Sequence, residues 1–378
     1  MNSTACSRTF IMMTILYLCF SPVCFARIKL SALPDRGDTI IRLDNPHATL
    51  IEEERILTLQ KGRNEVDFSW KGVRIDADSI RLHIVSAPVA VSLLSVSYPP
   101  NEDALVWSIH SMKAIEAVVR ISYLLEYIDS LAAYKAFADK SETRLDLKSF
   151  LILRNFSGED FNAARILPFH GAAFNGSILH EETKQILVAS RKGVPVEKVW
   201  TFDAARLPWD PEKLDENVGI PVSYRIHNTG DGKLGKGMLQ AGKVRLYQDD
   251  GHSSSIFLGE DTTDAVPIGE TMELYIGDSR DIVVTQRKMQ DKRINVKRNT
   301  SNQVVLYDTD EIVTAVMENF KDSPAKLTML QHIPGQWEMK RCTLDYRKKD
   351  ASTLEFSVTI PAQSTKKLEM HYHRRNVR

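Results

Sequence analysis

The stretch AIEAVVRISY, residues 114–123, alternates apolar and polar side chains with a period of two. One face carries the apolar side chains of Ile115, Ala117, Val119, Ile121 and Tyr123. The other face carries the polar side chains of Glu116, Arg120 and Ser122. Because successive side chains of a strand point to opposite faces, this alternation is typical of a β-strand with one face against a core.

Similar runs recur along the chain, and turn signals separate them. TLEFSVTI (353–360) alternates in the same way, and MELYIG, QVVLYD and AKLTMLQHI are rich in β-branched and aromatic residues. Gly- and Pro-containing stretches such as NTGDGKLGKG and IPGQ lie between such runs. Helical crossovers of about ten or more residues, which parallel sheets need, are almost absent. The sequence therefore predicts an all-β fold of antiparallel β-sandwich domains with little helix.

Residues 124–138 are the one helical candidate. Five apolar positions keep helical spacing, namely Leu124, Tyr127, Ile128, Leu131 and Tyr134. The segment adjoins clear strands, however, and the tripeptide IDS (128–130) is compatible with a turn between two of them. The sequence leaves both structures open and favours two strands.

The N-terminus has the three parts of a secretory signal. One positive charge, Arg8, precedes the apolar run FIMMTILYLCF (10–20). The small residues Cys24 and Ala26 then occupy the −3 and −1 positions of a cut after Ala26. The pattern predicts a signal peptide over residues 1–26 and an exported protein, periplasmic or extracellular. An uncleaved anchor is the alternative.

Cleavage after Ala26 would remove three of the four cysteines and leave Cys342 alone. The mature chain would then have no internal disulfide and would depend on its hydrophobic core. Charge is balanced, with 49 Lys and Arg against 49 Asp and Glu, so the net charge of the chain does not favour nucleic acid as a partner. After the signal, no apolar run reaches the roughly eighteen residues of a membrane span, so no transmembrane segment is expected.

Two breaks in composition suggest the domain organisation. The double proline of YPPNEDA (98–104) ends a run of strands, which predicts an N-terminal β domain over residues 27–100. A C-terminal β-sandwich domain is expected over residues 101–378. Residues 193–221 are rich in Pro, Asp and Glu and weak in periodicity, so they mark a possible seam within it.

The stretch LYQDDGHSSSIFLGED, residues 246–261, combines acids, a histidine and serines. Asp250-Gly251 between two extended segments is a hairpin signal, because glycine accepts the positive φ of tight turns. An alternative is a site for Ca²⁺, which prefers oxygen ligands. The candidate metal ligands are Asp249, Asp250, His252, Glu260 and Asp261. Their spacing matches no EF-hand, and an Asp–His–Ser triad seldom has its members so close in sequence. We expect a turn and no cofactor.

Candidate ligand-binding residues lie elsewhere. The basic segment QRKMQDKRINVKR (286–298) includes Arg287, Lys288 and Arg293, and could meet an acidic polysaccharide or anionic lipid. A solvated hairpin is the alternative. Trp200 and Trp209 bracket an irregular stretch and could stack on sugar rings, whereas burial in the core is the usual fate of tryptophan.

The glycine-rich stretch GDGKLGKG, residues 230–237, resembles a phosphate-binding loop only in part. Gly237 stands where a Ser or Thr hydroxyl would hold magnesium. The flanking segments are strands, not the strand–helix unit that such loops require. We therefore expect no nucleotide ligand.

Three longer stretches resemble a known family when taken together. They are FLILRNFSGEDFNAARI (150–166), AGKVRLYQDDGHSSSIFLGEDT (241–262) and VPIGETMELYIGDSRDIVVTQRK (266–288). Their order resembles an uncharacterised bacterial secreted β-protein family whose longer members are labelled mucoidy inhibitor A-like. The resemblance covers roughly residues 100–378 and implies a secreted or envelope β-sandwich protein with no established catalytic residues. This chain lacks the heptad-rich helical segment of the longer members, which puts a coiled-coil partner in doubt.

These features favour an exported, non-enzymatic β-sandwich protein of the envelope or extracellular space. Its expected partner is a surface polysaccharide or an envelope protein. One alternative is a metal-assisted hydrolase that acts on envelope glycans through the acidic hairpin. Another is a structural module that assembles through strand edges.

Overall fold

The computed structural model describes residues 31–45, 48–168, 172–210 and 219–378. The predicted signal peptide lies outside the described residues, and so do residues 211–218 of the predicted seam. Strands dominate the described chain, and its one helical element is a 3₁₀ turn at Ala77–Ser79. This confirms the predicted all-β fold. In the described part, no helix has the length and apolar character to cross a membrane.

Twenty-five strands follow one another in the described part of the chain. The first twelve are β1 (Ser31–Ala32), β2 (Thr39–Asn45), β3 (Ala48–Leu59), β4 (Gly62–Ser69), β5 (Arg81–Ile84), β6 (Val91–Ser97), β7 (Ala104–Ser111), β8 (Ile115–Leu125), β9 (Ile128–Ala138), β10 (Arg144–Asn155), β11 (Phe161–Pro168) and β12 (Phe174–Ile178). The others are β13 (Glu182–Pro195), β14 (Glu197–Asp203), β15 (Ile220–His227), β16 (Gly242–Asp249), β17 (Ser255–Thr263), β18 (Thr271–Ser279), β19 (Ile282–Arg298), β20 (Val304–Asn319), β21 (Ala325–His332), β22 (Gln336–Cys342), β23 (Arg347–Lys348), β24 (Thr353–Ile360) and β25 (Ser364–Val377).

The chain divides into two compact units. The first comprises Met1–Ile128 and Arg154–Glu182, and the second comprises Asp129–Leu153 and Thr183–Arg378. The domain boundary predicted at residue 100 falls between β6 and β7, which pair antiparallel inside the first unit.

The first unit contains a four-stranded sheet, β1-β4-β7-β6, and a six-stranded sheet, β12-β11-β2-β3-β8-β5. Aromatic rings from both sheets meet in its core. The Phe68 ring centroid lies 5.5 Å from that of Trp107 in the same sheet and 5.9 Å from that of Tyr123 in the other sheet. Burial of such large apolar side chains is the main stabilising contribution in a unit of this kind.

The alternating stretch 114–123 forms most of β8 in this unit. Four of its five predicted inward residues, Ala117, Val119, Ile121 and Tyr123, are each 0% exposed, and Ile115 at the start of the strand is half-buried. The polar residues between them lie on the other face. The period-two pattern thus predicts both the strand and the face that it buries.

The described residues of the second unit form three sheets. Their strand orders are β13-β10-β9-β16-β17, β18-β15-β14-β21-β24-β23 and β19-β20-β25-β22. One core packs the last two sheets together, with buried residues such as Phe202, Val313, Leu327, Phe356 and Met370. A second core packs the five-stranded sheet against β15 and β18, with buried residues such as Tyr134, Leu145, Val244 and Leu274.

The helical candidate at residues 124–138 is two strands. β8 ends at Leu125 and β9 begins at Ile128, so the turn is Glu126 and Tyr127, not the tripeptide IDS. Tyr127 has a φ of +62°, the left-handed conformation that a tight turn needs. The apparent helical spacing arises because apolar residues at the end of β8, in the turn and along β9 follow one another in the sequence.

Buried asparagines organise several loops. The Asn228 side chain donates to the carbonyl of Val266 at 3.0 Å and accepts from the amide of Gly235 at 2.8 Å. It thereby holds the stretch GDGKLGKG as a loop, and Gly235 has the positive φ of +71° that this path requires. Asn155 and Asn319, also buried, donate to carbonyls of their own loops.

Candidate functional site: a polar cavity beside an aromatic row

The stretch 246–261 forms a β-hairpin, as its turn signal predicts, because β16 and β17 pair antiparallel. Its acids shape the turn. One carboxylate oxygen of Asp249 accepts from the amide of Gly251 at 2.8 Å. One oxygen of Asp250 accepts from the amides of His252 and Ser254, at 2.7 and 3.0 Å. Gly251 has a φ of +79°, which favours glycine at this position.

The two other candidate metal ligands lie away from the tip. Glu260 forms ion pairs with Lys243 at 2.5 Å and with Arg245 at 2.9 Å, and the Lys243 hydrogen bond is the main cause that lowers the pKa of Glu260. Asp261 accepts from the amide of Tyr275 at 2.7 Å. On β17, Glu260 lies opposite Arg245 of β16. Arg245 is four residues before Asp249, a separation of about 13 Å along the strand.

The structure therefore does not bring the five candidate metal ligands together. Across the described residues, no group of three or more His, Cys, Asp and Glu side chains is placed to hold a metal ion. The carboxylates instead accept hydrogen bonds from the backbone or pair with cations.

A cavity of about 490 Å³ adjoins the hairpin within the second unit. Its lining includes Phe137, Asp139, Arg144, Asp146, Asp249 and the serines at 253–255. Sequence reasoning found the hairpin side of this cavity but missed the side formed by β9, β10 and the loop between them. The only signal was the polar loop DKSETRLD (139–146), which by itself looks like any surface turn.

The acids of the cavity are fixed in place. Burial raises the pKa of Asp139, but hydrogen bonds from Ser141 and from the amides of Arg144 and Thr143 outweigh it, so the pKa is below its usual value. Asp139 is therefore ionised at neutral pH. One oxygen of Asp146 accepts from the amide of Gly193 at 2.9 Å. Fixed carboxylates of this kind are preorganised acceptors for hydroxyl donors.

A row of aromatic side chains crosses the outer face of the five-stranded sheet and reaches the cavity. Ala136 and Leu246 point into the core, so Phe137 and Tyr247, one residue further along each strand, point outward. The ring centroids of Phe137 and Tyr247 are 4.9 Å apart and nearly parallel, and Phe257 follows at 5.5 Å from Tyr247. Phe257 ends the row and is 56% exposed.

Cations surround the same face. The Lys148 ammonium lies 5.2 Å from the Phe137 ring centroid, and the Lys135 ammonium lies 5.1 Å from that of Phe150. Arg144 lines the cavity and is exposed. Within the described chain, none of these three cations forms an ion pair with a carboxylate.

The two candidate tryptophans do not form an exposed pair, and burial, the alternative, describes Trp200. Trp200 is 3% exposed and belongs to the core between two sheets of the second unit. Trp209 is partly buried against the same core, and its indole nitrogen donates to the carbonyl of Ala204 at 2.8 Å. Because Trp200 is this deeply buried, its ring is not accessible for stacking on a sugar. The aromatic row on the five-stranded sheet is the more exposed aromatic surface.

The three basic candidates lie on β19 of the long β19–β20 hairpin, where they have intramolecular partners. Lys288 pairs with Glu311 at 2.9 Å, and Arg287 lies 3.6 Å from Asp210. The Arg293 guanidinium lies 4.5 Å from the ring centroid of Tyr307. The carboxylate partners of Arg287 and Lys288 reduce the charge that this ribbon offers to a ligand, which favours the solvated hairpin.

Comparisons with known proteins add no assignment: no family model matches the chain, and no curated protein matches it either. The resemblance to the mucoidy inhibitor A-like family therefore stays a prediction.

Proposed function

We propose that this protein is an exported, non-enzymatic β-sandwich protein that binds a polysaccharide in the periplasm or outside the cell. One observation supports the proposal most directly. A cavity lined by fixed aspartates and by serines lies beside a row of aromatic side chains. The proposal of export depends on the sequence pattern of residues 1–26.

Sugar rings present both kinds of surface that this site complements. Their hydroxyls donate and accept hydrogen bonds, for which Asp146, Asp249 and Ser255 offer partners at the cavity. Their C–H faces pack on aromatic side chains, for which Phe257 offers the most exposed ring of the row. Cross-strand pairing places Ser255 opposite Asp249 and Phe257 opposite Tyr247. Hydroxyl and aromatic contacts are thus about 7 Å apart along one strand face.

Binding without turnover fits the state of Asp139. Glycoside hydrolysis needs a carboxylic acid that is still protonated, and enzymes obtain it by raising a pKa. Asp139 has a lowered pKa, which suits an acceptor of hydrogen bonds and not a general acid. A protein partner is the less favoured occupant, because the centre of a protein interface is apolar and poor in charge, whereas this cavity is lined by charged and hydroxyl groups.

Electrophoresis through native gels that contain dissolved polysaccharides tests the proposal. The gels would contain dextran, a galactan, polygalacturonate or hyaluronan, and we expect at least one polymer to retard the protein. Phe257→Ala is expected to weaken that binding by about tenfold, because it removes the most exposed aromatic contact of the row. Phe320→Ala is the matched control, because Phe320 is also a phenylalanine that is 56% exposed but lies outside the row.

Two results would count against the proposal. If none of the four polymers changes the mobility of the protein, polysaccharide binding loses its support. A protein partner or self-assembly is then the better hypothesis. Release of new reducing ends from a bound polymer would instead support the hydrolase alternative.

A further inference from the structure

We infer that two copies of this protein pair through strand β6 (Val91–Ser97), antiparallel and about a twofold axis. β6 belongs to the first unit, whereas the proposed polysaccharide site lies in the second, so the inference goes beyond the proposed function and does not depend on it. It follows from an edge strand that carries no charge and from the symmetry of its sequence.

β6 has one free edge. It is the last strand of the sheet β1-β4-β7-β6, where β7 pairs with one of its edges and no strand of the described chain pairs with the other. Six of its seven residues are exposed. The backbone N–H and C=O groups along such an edge can pair with a further strand.

The absence of charge distinguishes β6 from the other edge strands. Proteins commonly place charged side chains on edge strands, because these oppose pairing with another chain. In the described chain, every other edge strand of six or more residues carries charge, for example Arg191 on β13, Arg293 on β19 and Glu338 on β22. β6 carries none, and neither does the whole stretch 84–101. This edge therefore lacks the protection that the others have.

Apolar side chains on β6 remain in contact with water. Leu94 is 57% exposed. Leu93 and Val96 lie opposite the buried Ile109 and Trp107 of β7, so their side chains are on the core side of the sheet, yet both are exposed. The sheet ends at β6 and leaves the margin of its core open. A strand added at this edge would cover these side chains.

The sequence of β6 favours a second copy as that strand. VSLLSV, residues 91–96, reads the same in both directions. When two copies pair antiparallel about an axis between residues 93 and 94, valine meets valine, serine meets serine and leucine meets leucine. Such a contact is isologous, since each copy presents the same surface to the other. No like charges come together, because the strand has no charge.

A bulge gives the strand the geometry that this pairing needs. Directly opposite side chains of a ladder lie on the same face, so Val91 and Val96 must share a face. In a regular strand, residues five apart point to opposite faces. In β6, Val91 lies opposite Ser111 and Val96 opposite Trp107, and both of these partners are buried. The two valines share the core side because Leu94 is an extra residue in the strand.

Sedimentation velocity of the full protein tests the pairing. Between about 1 µM and about 300 µM, we expect a dimer population that rises with concentration, because a single strand pair is a small interface. A monomer at every concentration overturns the inference and leaves an extended segment of another protein as the occupant of the edge. Growth beyond two copies overturns the twofold axis, because an isologous contact closes at the dimer.

A single variant then tests the strand. Leu94→Lys places a charge beside the same charge of the other copy and should weaken dimerisation at least about tenfold. Because Leu94 is exposed, the Tm of the dilute monomer should stay that of the parent protein. Leu187→Lys is the matched control, since Leu187 is 54% exposed and lies on another edge strand, β13. Equal dimerisation of the two variants overturns the assignment to β6.

Two double variants test the register. Ser92→Lys with Ser95→Lys sets lysine opposite lysine of the other copy, whereas Ser92→Glu with Ser95→Lys sets glutamate opposite lysine. Both residues are exposed, and the two variants differ only in the charge at residue 92. We expect the first to be monomeric at all concentrations and the second to dimerise about as tightly as the parent protein. Equal dimerisation of the two would overturn the twofold register.

Discussion

Glu53 in the first unit and the aspartates at the tip of the β16–β17 hairpin hold their negative charges in different ways. Glu53 is 0% exposed and pairs with Arg36 at 2.5 Å and with Arg55 at 2.8 Å. Asp249 and Asp250 instead accept from backbone amides of their own turn. A buried carboxylate needs paired charge to offset desolvation, whereas a turn carboxylate in contact with water needs only a dipole.

The second unit repeats the buried arrangement at Glu311. Its side chain is 2% exposed and pairs with Lys288 at 2.9 Å and with Arg374 at 3.2 Å, while the Tyr372 hydroxyl donates to it at 3.0 Å. Glu53 and Glu311 are thus buried acids with charged partners, one in each unit, whereas the acids of the hairpin tip accept from backbone amides.

The largest expected effect is at Glu53. Glu53→Gln removes the charged partner of the buried Arg55 and leaves Arg36 with Glu159 alone, at 2.7 Å. Breaking this buried ion pair should lower the free energy of unfolding by about 3–5 kcal/mol. Urea unfolding followed by circular dichroism would measure it. Glu116→Gln on the exposed face of β8 is the control and should change stability little. Similar midpoints for the two variants would contradict the structural role of Glu53.

At Glu311 we expect a smaller effect that depends on pH. Burial raises the pKa of Glu311, but hydrogen bonds from Lys288 and Thr309 outweigh it, so the folded-state pKa lies below the usual value of a glutamate. A lowered pKa means that the unfolded chain binds the proton more readily. The stabilising contribution is therefore complete above the ordinary glutamate pKa and is lost as pH falls through the lower folded-state value.

Glu311→Gln tests this sign. The variant should lose about 2–3 kcal/mol at neutral pH, as expected for hydrogen bonds to a charged group, and the difference from the parent protein should shrink in acid. Urea midpoints at several pH values below neutrality would measure it. Glu318→Gln, on the opposite face of β20, is the control. A difference that stays constant with pH would contradict the assignment.

A still smaller effect is expected at the hairpin tip. Asp250→Ala removes the acceptor for two backbone amides and should lower the free energy of unfolding by about 1 kcal/mol. His252→Ala should be neutral, because the turn uses the backbone of His252 and not its ring. Thermal unfolding of both variants measures the contrast. A larger loss for His252→Ala would show that the imidazole has a role that the turn geometry does not require.

The smallest effect is expected from metal. Glu260 pairs with two cations, and Asp250 accepts two amides, so neither is placed with the other candidate ligands around an ion. Addition of Ca²⁺ or EDTA should leave the Tm of the protein unchanged. A metal held at about a hundred times its Kd would stabilise the folded state by about 2.7 kcal/mol and move the Tm by several degrees. Such a shift would revive the metal hypothesis.

Local patterns predict much of this molecule. The alternation in AIEAVVRISY predicts β8 and its buried face, and TLEFSVTI does the same for β24, where Leu354 and Phe356 are each 0% exposed. Asp250-Gly251 predicts the β16–β17 hairpin. These predictions succeed because side-chain alternation and positive φ are properties of a few neighbouring residues. Polarity alone does not distinguish a ligand site from a turn, so the same local reasoning grouped Glu260 with the hairpin acids.

The all-β class, the strand faces and the turn can be read from the sequence, because each depends on residues that are close along the chain. The position of the candidate site depends on which distant strands pair. β9 and β16 pair in parallel, with Phe137 opposite Tyr247, and this pairing brings Asp139 and Asp249 to one cavity. About a hundred residues separate the two strands in sequence, and no local periodicity encodes which strands pair or in which direction.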